Sequence, residues 1–153
     1  MNTVFIFHGT AGYPEENWFN VFEEYKQYLN SDTILVGHSL GGTFLLRLLE
    51  KSDIKIKASF LVAAPIGIQP IKNYLTDKPF LDQPFNWNKI KEHCQKFFVF
   101  HSDTDPFVPL ENGEQLAKNL NTKLFIIPGC GHFNKTAGFD KFELLLEKIK
   151  GML

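Results

Sequence analysis

The segment Gly37-His38-Ser39-Leu40-Gly41-Gly42 places a serine between glycines, directly after the apolar run Ile34 to Val36. A strand-to-helix turn of this composition holds a serine in strained backbone geometry at the end of a strand, with its hydroxyl exposed. Side chains at positions 37 and 41 would find no room in so sharp a turn. The N-terminus of the following helix favours a developing negative charge beside the serine. Ser39 is therefore predicted to be a nucleophile.

A serine becomes nucleophilic only beside a general base, and the chain offers five histidines for that role: His8, His38, His93, His101 and His132. His132 lies in Pro128-Gly129-Cys130-Gly131-His132-Phe133, directly after the last strand-like run. A flexible glycine-rich turn there can aim the imidazole back across the sheet edge. His132 is the predicted base.

The acid that orients this histidine should follow another strand, between the serine and the histidine in chain order. The run Phe97 to Phe100 is followed by Asp103 and Asp105, and Pro106 comes next. Pro106 fixes the backbone after Asp105 in an extended turn, which suits a carboxylate that must stay in place. Asp103 is better suited to accept hydrogen bonds from loop N–H groups. Spacing favours Asp105 and leaves Asp103 as the alternative.

Two backbone N–H groups should receive the oxyanion that forms when a serine attacks a carbonyl carbon. One is the N–H group of Leu40, the residue after the nucleophile. The other should come from the loop after the first strand, His8-Gly9-Thr10-Ala11-Gly12, where Thr10 is the expected donor. Small residues in this loop would let the backbone approach the substrate, so His8 and Gly9 are expected to contact it.

Strand and helix patterns alternate along the chain and supply the framework for these residues. Five short, nearly continuous apolar runs predict strands that are buried on both faces of a parallel sheet: Val4 to Phe7, Ile34 to Val36, Ser59 to Ala63, Phe97 to Phe100, and Leu124 to Ile127. Helical periodicity predicts four helices, around Trp18 to Leu29, Phe44 to Leu49, Leu116 to Leu120, and Phe139 to Met152. The predicted fold class is α/β with three layers and a mainly parallel sheet.

The segment from Pro65 to Gln95 interrupts this alternation with four prolines among aromatic and aliphatic residues. A connection of this length predicts a lid or a substrate-binding insertion. Phe80, Trp87 and the later Phe107 are expected to form an apolar pocket for short acyl or alcohol groups. The alternative is an irregular crossover that ends in a short helix around Asn88 to Cys94.

Composition limits the class of protein and the class of partner. The chain has 153 residues, of which 44% are hydrophobic, so residues 1–153 are expected to form one domain with its own core. A net charge of -1 and a single arginine, Arg47, favour a small uncharged substrate and no nucleic acid. The apolar runs are too short to span a membrane. Two cysteines and no secretory signal before the first strand predict a cytoplasmic location.

At this point the sequence resembles the small serine hydrolases of the retinoblastoma-binding-protein-9-like family, in the α/β-hydrolase superfamily. The resemblance rests on the serine turn, on Ser102 to Pro109, on Cys130-Gly131-His132-Phe133, and on Trp87 to Lys91 followed by Cys94. It implies a triad of Ser39, Asp105 and His132, and hydrolysis of carboxylic esters, or of related amides or thioesters. It implies no metal or organic cofactor.

The sequence departs from this family before the serine turn, where one strand and one helix of the family pattern are missing. Without that excursion, successive strands would be added in one direction only. Right-handed crossovers would then place the connecting helices on one face of the sheet and leave the C-terminal helix to cover the other. We therefore expect an incompletely covered sheet face, hidden in a homodimer or by residues that this chain lacks.

Two other classes of function were compatible with the same residues. One is a non-catalytic interaction protein that retains a hydrolase fold. The other is a metal-dependent hydrolase whose ligands come from His8, His38, His101, Asp103 and Asp105, all near predicted strand ends. The three histidines among them lack the i, i+4 spacing of the paired helical histidines in a zinc-protease motif, and this makes the metal alternative the weaker one.

Overall fold

Five parallel strands form one sheet in the computed structural model, which describes residues 3–9 and 15–153. The strand order is the chain order, β1-β2-β3-β4-β5, with β1 at Val4–Gly9, β2 at Ile34–Ser39, β3 at Ile56–Val62, β4 at Cys94–Ser102 and β5 at Leu124–Ile127. The predicted parallel α/β sheet is confirmed. Strands are added in one direction only, as expected for a chain without the family's additional strand.

Six α-helices connect and flank the described strands: α1 at Glu15–Glu23, α2 at Leu40–Lys51, α3 at Tyr74–Leu81, α4 at Trp87–Glu92, α5 at Leu110–Asn119 and α6 at Glu143–Lys150. The first predicted helix was too long, because the chain tightens into a 3-10 turn at Lys26–Tyr28. The last one was also too long, because α6 begins only after Phe142. None of the helices in the described ranges is long and apolar enough to cross a membrane.

Helices cover both faces of the sheet, which gives the three predicted layers. The two faces are covered unequally. Helices α1 to α5 pack against one face around a buried cluster that includes Phe44, Leu45, Ile90 and Leu116. The other face, which carries Phe60 and Phe100, is covered by α6 and by the aromatic side chains that precede it. The distribution of helices follows from right-handed crossovers that all advance in one direction.

The uncovered part of the second face is narrower than we expected. Ile34 on β2 is fully buried, and Phe60 and Phe98 stack at 4.4 Å between ring centroids beneath the C-terminal segment. On β1, by contrast, Val4 and Ile6 remain 38% and 71% exposed. Among the described strand residues of this second face, the exposed large apolar side chains are therefore those of the edge strand β1.

Two buried polar side chains fix the ends of the long segment between β3 and β4. Near its beginning, Asn112 of α5 accepts hydrogen bonds from the N–H groups of Ile66 and Ile68. Near its end, Arg47 of α2 donates hydrogen bonds to the carbonyl groups of residues 80, 83 and 84. Its guanidinium also pairs with Glu50 at 2.9 Å and lies 3.8 Å from the centre of the Phe85 ring. The segment is therefore held firmly against α2 and α5.

Replacement of Arg47 should destabilise the protein strongly. Arg47→Ala removes the hydrogen-bond donor to three carbonyl groups and the positive charge beside the Glu50 carboxylate, so we expect a loss of about 3 kcal/mol of unfolding free energy. Arg47→Lys should recover only part of this, because an ammonium group lacks the planar set of donors. Urea unfolding measures both changes. Lys118→Ala on the exposed face of α5 is the control, and an equal effect of the control would contradict the prediction.

Candidate active site

Ser39 joins the end of β2 to the first turn of α2 in a strained backbone conformation. Its φ angle is 55° and its ψ angle -130°, in a region that residues other than glycine rarely adopt. A side chain at Gly37 would lie 2.6 Å from the Cα atom of Gly42, and one at Gly41 would clash with the carbonyl oxygen of Phe7. These two glycines allow the chain to turn sharply enough to present the Ser39 hydroxyl.

The structure brings Ser39, His132 and Asp105 into one continuous chain of hydrogen bonds. The Ser39 hydroxyl lies 2.9 Å from Nε2 of His132, and Nδ1 of His132 lies 2.7 Å from Oδ2 of Asp105. With Nδ1 protonated and donating to the carboxylate, Nε2 is free to accept the serine proton. This is the geometry that a serine nucleophile requires of its base and of the group that orients the base.

Asp105 is held as a carboxylate by several donors. Burial by itself raises the pKa of Asp105, but the hydrogen bond and charge of His132 and the N–H groups of Phe107 and Val108 outweigh it, and the pKa lies below its usual value. Those N–H groups lie 2.8 Å and 3.0 Å from Oδ1. One oxygen is therefore committed to fixing the loop and the other to His132.

Three consecutive side chains at the end of β4 and just after it hold the loop that carries His132. Ser102, Asp103 and Thr104 accept hydrogen bonds from the N–H groups of residues 130, 129 and 131, respectively, at 2.8 to 3.1 Å. The Asp103 carboxylate thus accepts a hydrogen bond from the loop backbone, as its sequence context predicted. The contributions of Ser102 and Thr104 were missed, because short hydroxyl side chains are common in turns and carry no distinctive sequence signal.

His38 holds the same loop from the β2 side. Its Nε2 donates to the carbonyl oxygen of His132 at 2.8 Å, and the two imidazole rings lie 4.8 Å apart. Burial, and next the nearby His132, lower the pKa of His38 below 6.5. A neutral His38 can keep this hydrogen bond without placing a second positive charge beside His132. The sequence marked His38 only as one of five candidate bases and as a possible metal ligand, because its role here depends on a contact 94 residues away along the chain.

His101 supports, from within the core, the turn that carries Asp105. It is fully buried, and its Nε2 donates to the carbonyl oxygen of Val108 at 3.0 Å. Because the N–H group of Val108 in turn donates to Asp105, His101 stabilises the turn that positions the carboxylate. Burial lowers the pKa of His101. The absence of a side chain at Gly113 leaves room for the imidazole, since a Cβ atom there would lie 2.8 Å from it.

A cavity of about 310 Å³ opens beside Ser39 and His132. His8, Gly9 and Phe107, three of the residues predicted to contact substrate, line it. The segment after β3 also contributes to its wall, through Pro65, Ile71, Asn73 and Asp77. Ile71, Asn73 and Asp77 were missed, because α3, which begins just after Asn73, contains Pro79 and shows little separation of apolar and polar faces.

Phe80 and Trp87 do not reach this cavity, which corrects two of the predicted substrate contacts. Phe80 is fully buried in the core, with its ring 5.5 Å from that of Trp18. Trp87 begins α4 and packs against Phe85 at 4.9 Å, beside a separate depression. The Arg47 contacts hold this end of the segment away from Ser39. Apolar character alone therefore did not predict which side chains line the cavity.

Of the two predicted oxyanion donors, the structure describes one. Leu40 is the first residue of α2 and follows Ser39 directly, where helix N–H groups have no partner within the helix. Thr10 lies outside the described residues.

The five side chains considered as metal ligands are dispersed or already engaged. His38, His101, Asp103 and Asp105 each make one of the protein contacts given above. Within residues 3–9 and 15–153, no group of three or more histidine, cysteine or acidic side chains is arranged to hold a metal ion.

Solved structures with the same architecture define the fold class. The crystal structure of the ydeN gene product from Bacillus subtilis matches 99% of this chain and 98% of that chain, with a TM-score of 0.91 and 21% identity. A meta-cleavage product hydrolase from Pseudomonas fluorescens IP01 matches 98% of this chain and 90% of that chain, with a TM-score of 0.66 and 13% identity. The fold is a reduced form of the α/β-hydrolase fold.

Sequence comparison then identifies the family within that fold class. Residues 11–150 match the family model described as serine hydrolase. The chain is 31% identical to the serine hydrolase RBBP9 of Rattus norvegicus over 132 residues, which cover 86% of this chain and 67% of that protein. It is 25% identical to YdeN of Bacillus subtilis (strain 168) over 134 residues, which cover 88% of this chain and 70% of that protein. The chain belongs to the serine hydrolase family, and the resemblance seen in its motifs is confirmed.

The two histidines that support the site, His38 and His101, should make the protein less stable as the pH falls. Their folded-state pKa values lie below 6.5, so the unfolded chain binds protons first. The unfolding free energy should therefore decrease from about pH 7 to about pH 5. His38→Gln and His101→Gln should each reduce this slope in denaturant titrations at several pH values.

The control for this measurement is a buried substitution that removes no titratable group. Phe100→Leu should lower stability by a similar amount at every pH, because Phe100 is fully buried. If both histidine variants kept the full wild-type slope, the two histidines would not be its source.

Proposed function

We propose that this serine hydrolase is a carboxylesterase that acts through a Ser39, His132 and Asp105 triad. The observation that supports this most strongly is the unbroken hydrogen-bond chain from the Ser39 hydroxyl to the Asp105 carboxylate. Its parts come from three separate strand ends, β2, β4 and β5. The preferred substrate class is a small carboxylic ester, since the adjoining cavity has about 310 Å³.

The first half of the reaction is acyl transfer to the enzyme. Oγ of Ser39 attacks the ester carbonyl carbon while Nε2 of His132 takes the hydroxyl proton. Asp105 holds the imidazole in the required tautomer and stabilises its positive charge. As the tetrahedral intermediate collapses, the carbon–oxygen bond to the alcohol breaks and His132 returns the proton to the departing alcohol. The acyl group is then esterified to Ser39.

The second half is hydrolysis of this acyl-enzyme. His132 takes a proton from water, whose oxygen attacks the acyl carbon and forms a second tetrahedral intermediate. Its collapse releases the carboxylic acid, and Oγ of Ser39 recovers its proton from His132. In both halves the N–H groups of Leu40 and Thr10 are the proposed donors to the oxyanion.

The segment of residues 65–95 is the proposed substrate-binding insertion of this domain. Its first half supplies Ile71, Asn73 and Asp77 to the cavity wall, while the contacts of Arg47 fix its second half. This arrangement supports a fixed wall for a short acyl or alcohol group. A non-catalytic interaction protein would have no need of the ordered serine, histidine and carboxylate.

Loss of any member of the triad should reduce ester hydrolysis severely. For Ser39→Ala, His132→Gln and Asp105→Asn we expect kcat/KM to fall by about 10⁴-fold with p-nitrophenyl acetate, because the three residues act as a unit. Ser31→Ala, at an exposed position, is the matched control and should retain full activity. Wild-type activity in Ser39→Ala would contradict the triad, and a wild-type protein without activity on any short ester would favour the interaction-protein alternative.

A homodimer formed through the β1 edge is also part of our proposal. In the described residues β1 pairs with β2 only, and it contains apolar residues, one histidine and one glycine, without the lysines or prolines that often protect edge strands. Beside it, Phe5, Phe7, Trp18 and Val21 line an apolar cavity of about 470 Å³. A second copy would cover this surface and the exposed Ile6.

Native mass spectrometry at several protein concentrations tests this association. Ile6→Lys should shift the population toward monomer, because a charge would have to be buried at the interface. Ile126→Lys changes a half-exposed residue on the opposite edge strand and should leave the population unchanged. A wild-type protein that is monomeric at every concentration would refute the dimer.

A cytoplasmic location remains a prediction. Cys94 and Cys130 are both free thiols. Burial raises the pKa of Cys94 to about 12, so this thiol stays protonated and unreactive at neutral pH.

A further inference from the structure

Asp77 is a carboxyl group in the wall of the Ser39 cavity that the triad does not use. It lies in the first turn of α3, is only 6% exposed, and lines the same cavity as Ser39, His132 and Asn73. Acidic side chains are rarely buried so deeply unless they are paired. A buried carboxyl group beside the proposed nucleophile therefore needs an explanation.

The part of the chain that the structure describes gives the Asp77 carboxyl group few hydrogen-bond donors to compensate for its burial. Among the described contacts, its side chain has one hydrogen-bond donor, the hydroxyl group of Thr76, at 3.4 Å. That hydroxyl has a single proton and lies much closer, at 2.8 Å, to the carbonyl oxygen of Asn73. Among the described residues, the Asp77 carboxyl is therefore left almost without a partner. Burial raises its pKa, as expected for a carboxyl group that lacks a compensating charge.

The cations near Asp77 in the chain are engaged elsewhere. Nζ of Lys72 lies 4.2 Å from the centre of the Phe107 ring, and Nζ of Lys78 pairs with Asp82 at 3.4 Å. The described residues that line the cavity include no lysine or arginine. Asp77 is the acidic side chain among these lining residues, and no lysine or arginine of the lining offsets its charge.

We propose that Asp77 binds a protonated amine on the substrate, so that the preferred esters carry an ammonium group on the acyl or alcohol part. An ammonium group would donate hydrogen bonds to the carboxylate and supply the positive charge that the wall lacks. A carboxylate or phosphate group on the substrate would instead be repelled by Asp77. This inference rests on the proposed esterase function and names the substrate class of the same site.

A cationic partner explains the site better than a neutral one. A substrate hydroxyl group could accept or donate a single hydrogen bond, and the amide of Asn73 on the same wall already offers both kinds of contact. A buried carboxyl group adds one property that the amide lacks, a negative charge. That property contributes to binding only if the ligand brings a positive charge with it.

The test uses four p-nitrophenyl esters of straight-chain acids of equal length that end in an ammonium, a hydroxyl, a methyl or a carboxylate group. For the wild type we expect kcat/KM for the ammonium ester to exceed that for the methyl ester by about tenfold, mainly through KM. The carboxylate ester should be the poorest substrate. Asp77→Asn, which keeps the shape and removes the charge, should abolish the preference for ammonium.

Asp82→Asn is the matched control, because it removes one negative charge just beyond the C-terminal end of the same helix, outside the cavity lining. It should retain the wild-type preference. Labelling of Ser39 by a fluorophosphonate shows whether each variant is folded and competent. If Asp77→Asn is not labelled, Asp77→Ser provides a second neutral variant.

An ammonium preference that is absent in the wild type, or that persists in a competent neutral variant, would overturn the inference. Equal preference for the hydroxyl and ammonium esters would overturn it as well, because charge would then play no part. Failure of the esterase proposal has a different signature: none of the four esters would be hydrolysed by the wild type. The two proposals can therefore fail separately.

Discussion

The strained turn between β2 and α2 is the constraint on which the rest of the site depends. Ser39 has a positive φ angle because the chain must reverse from strand to helix within one residue, and Gly37 and Gly41 allow the surrounding backbone to come close enough. The turn projects a hydroxyl group beyond the end of the sheet and places it beside a helix N-terminus. All other parts of the site must be brought to this fixed point.

Two loops are brought there together by contacts with each other. The side chains of residues 102–104 bind the N–H groups of residues 129–131, and His38 binds the carbonyl group of His132 from the other side. His101 then fixes the turn that carries Asp105 through Val108. The imidazole of His132 is thus positioned by its own backbone as well as by its hydrogen bond with Asp105. A site built on loops can be held rigidly when their backbone groups are satisfied in this way.

The sequence allowed the parallel sheet and the three central residues to be predicted, because both leave strong local signals. Nearly continuous apolar runs identify strands covered on both faces, and the glycines around Ser39 identify the sharp turn. The direction of strand addition followed from the family resemblance, because one strand and one helix of that family's pattern are missing before the serine turn. Loop contacts such as those of Ser102, Thr104 and His38 could not be predicted, because each joins residues far apart in the chain.

The wall of the cavity beside Ser39 was the least predictable part of the site. Phe80 and Trp87 are apolar and lie in the expected segment, yet they face the core and a separate depression. Their placement depends on how Arg47 and Asn112 hold that segment, which no local pattern reports. Asp77, conversely, is a polar residue in a short helix with weak periodicity, and the role we propose for it rests on its burial and on the single donor among its described contacts.

Direct detection of the acyl-enzyme tests the central claim, that Ser39 carries the acyl group. The wild type and His132→Gln would be mixed with p-nitrophenyl acetate, quenched in acid and examined by intact-protein and peptide mass spectrometry. The account predicts a transient acetyl adduct on the peptide that contains Ser39 in the wild type, formed far more slowly in His132→Gln. Turnover of the ester with no adduct, or with an adduct on another residue, would contradict it.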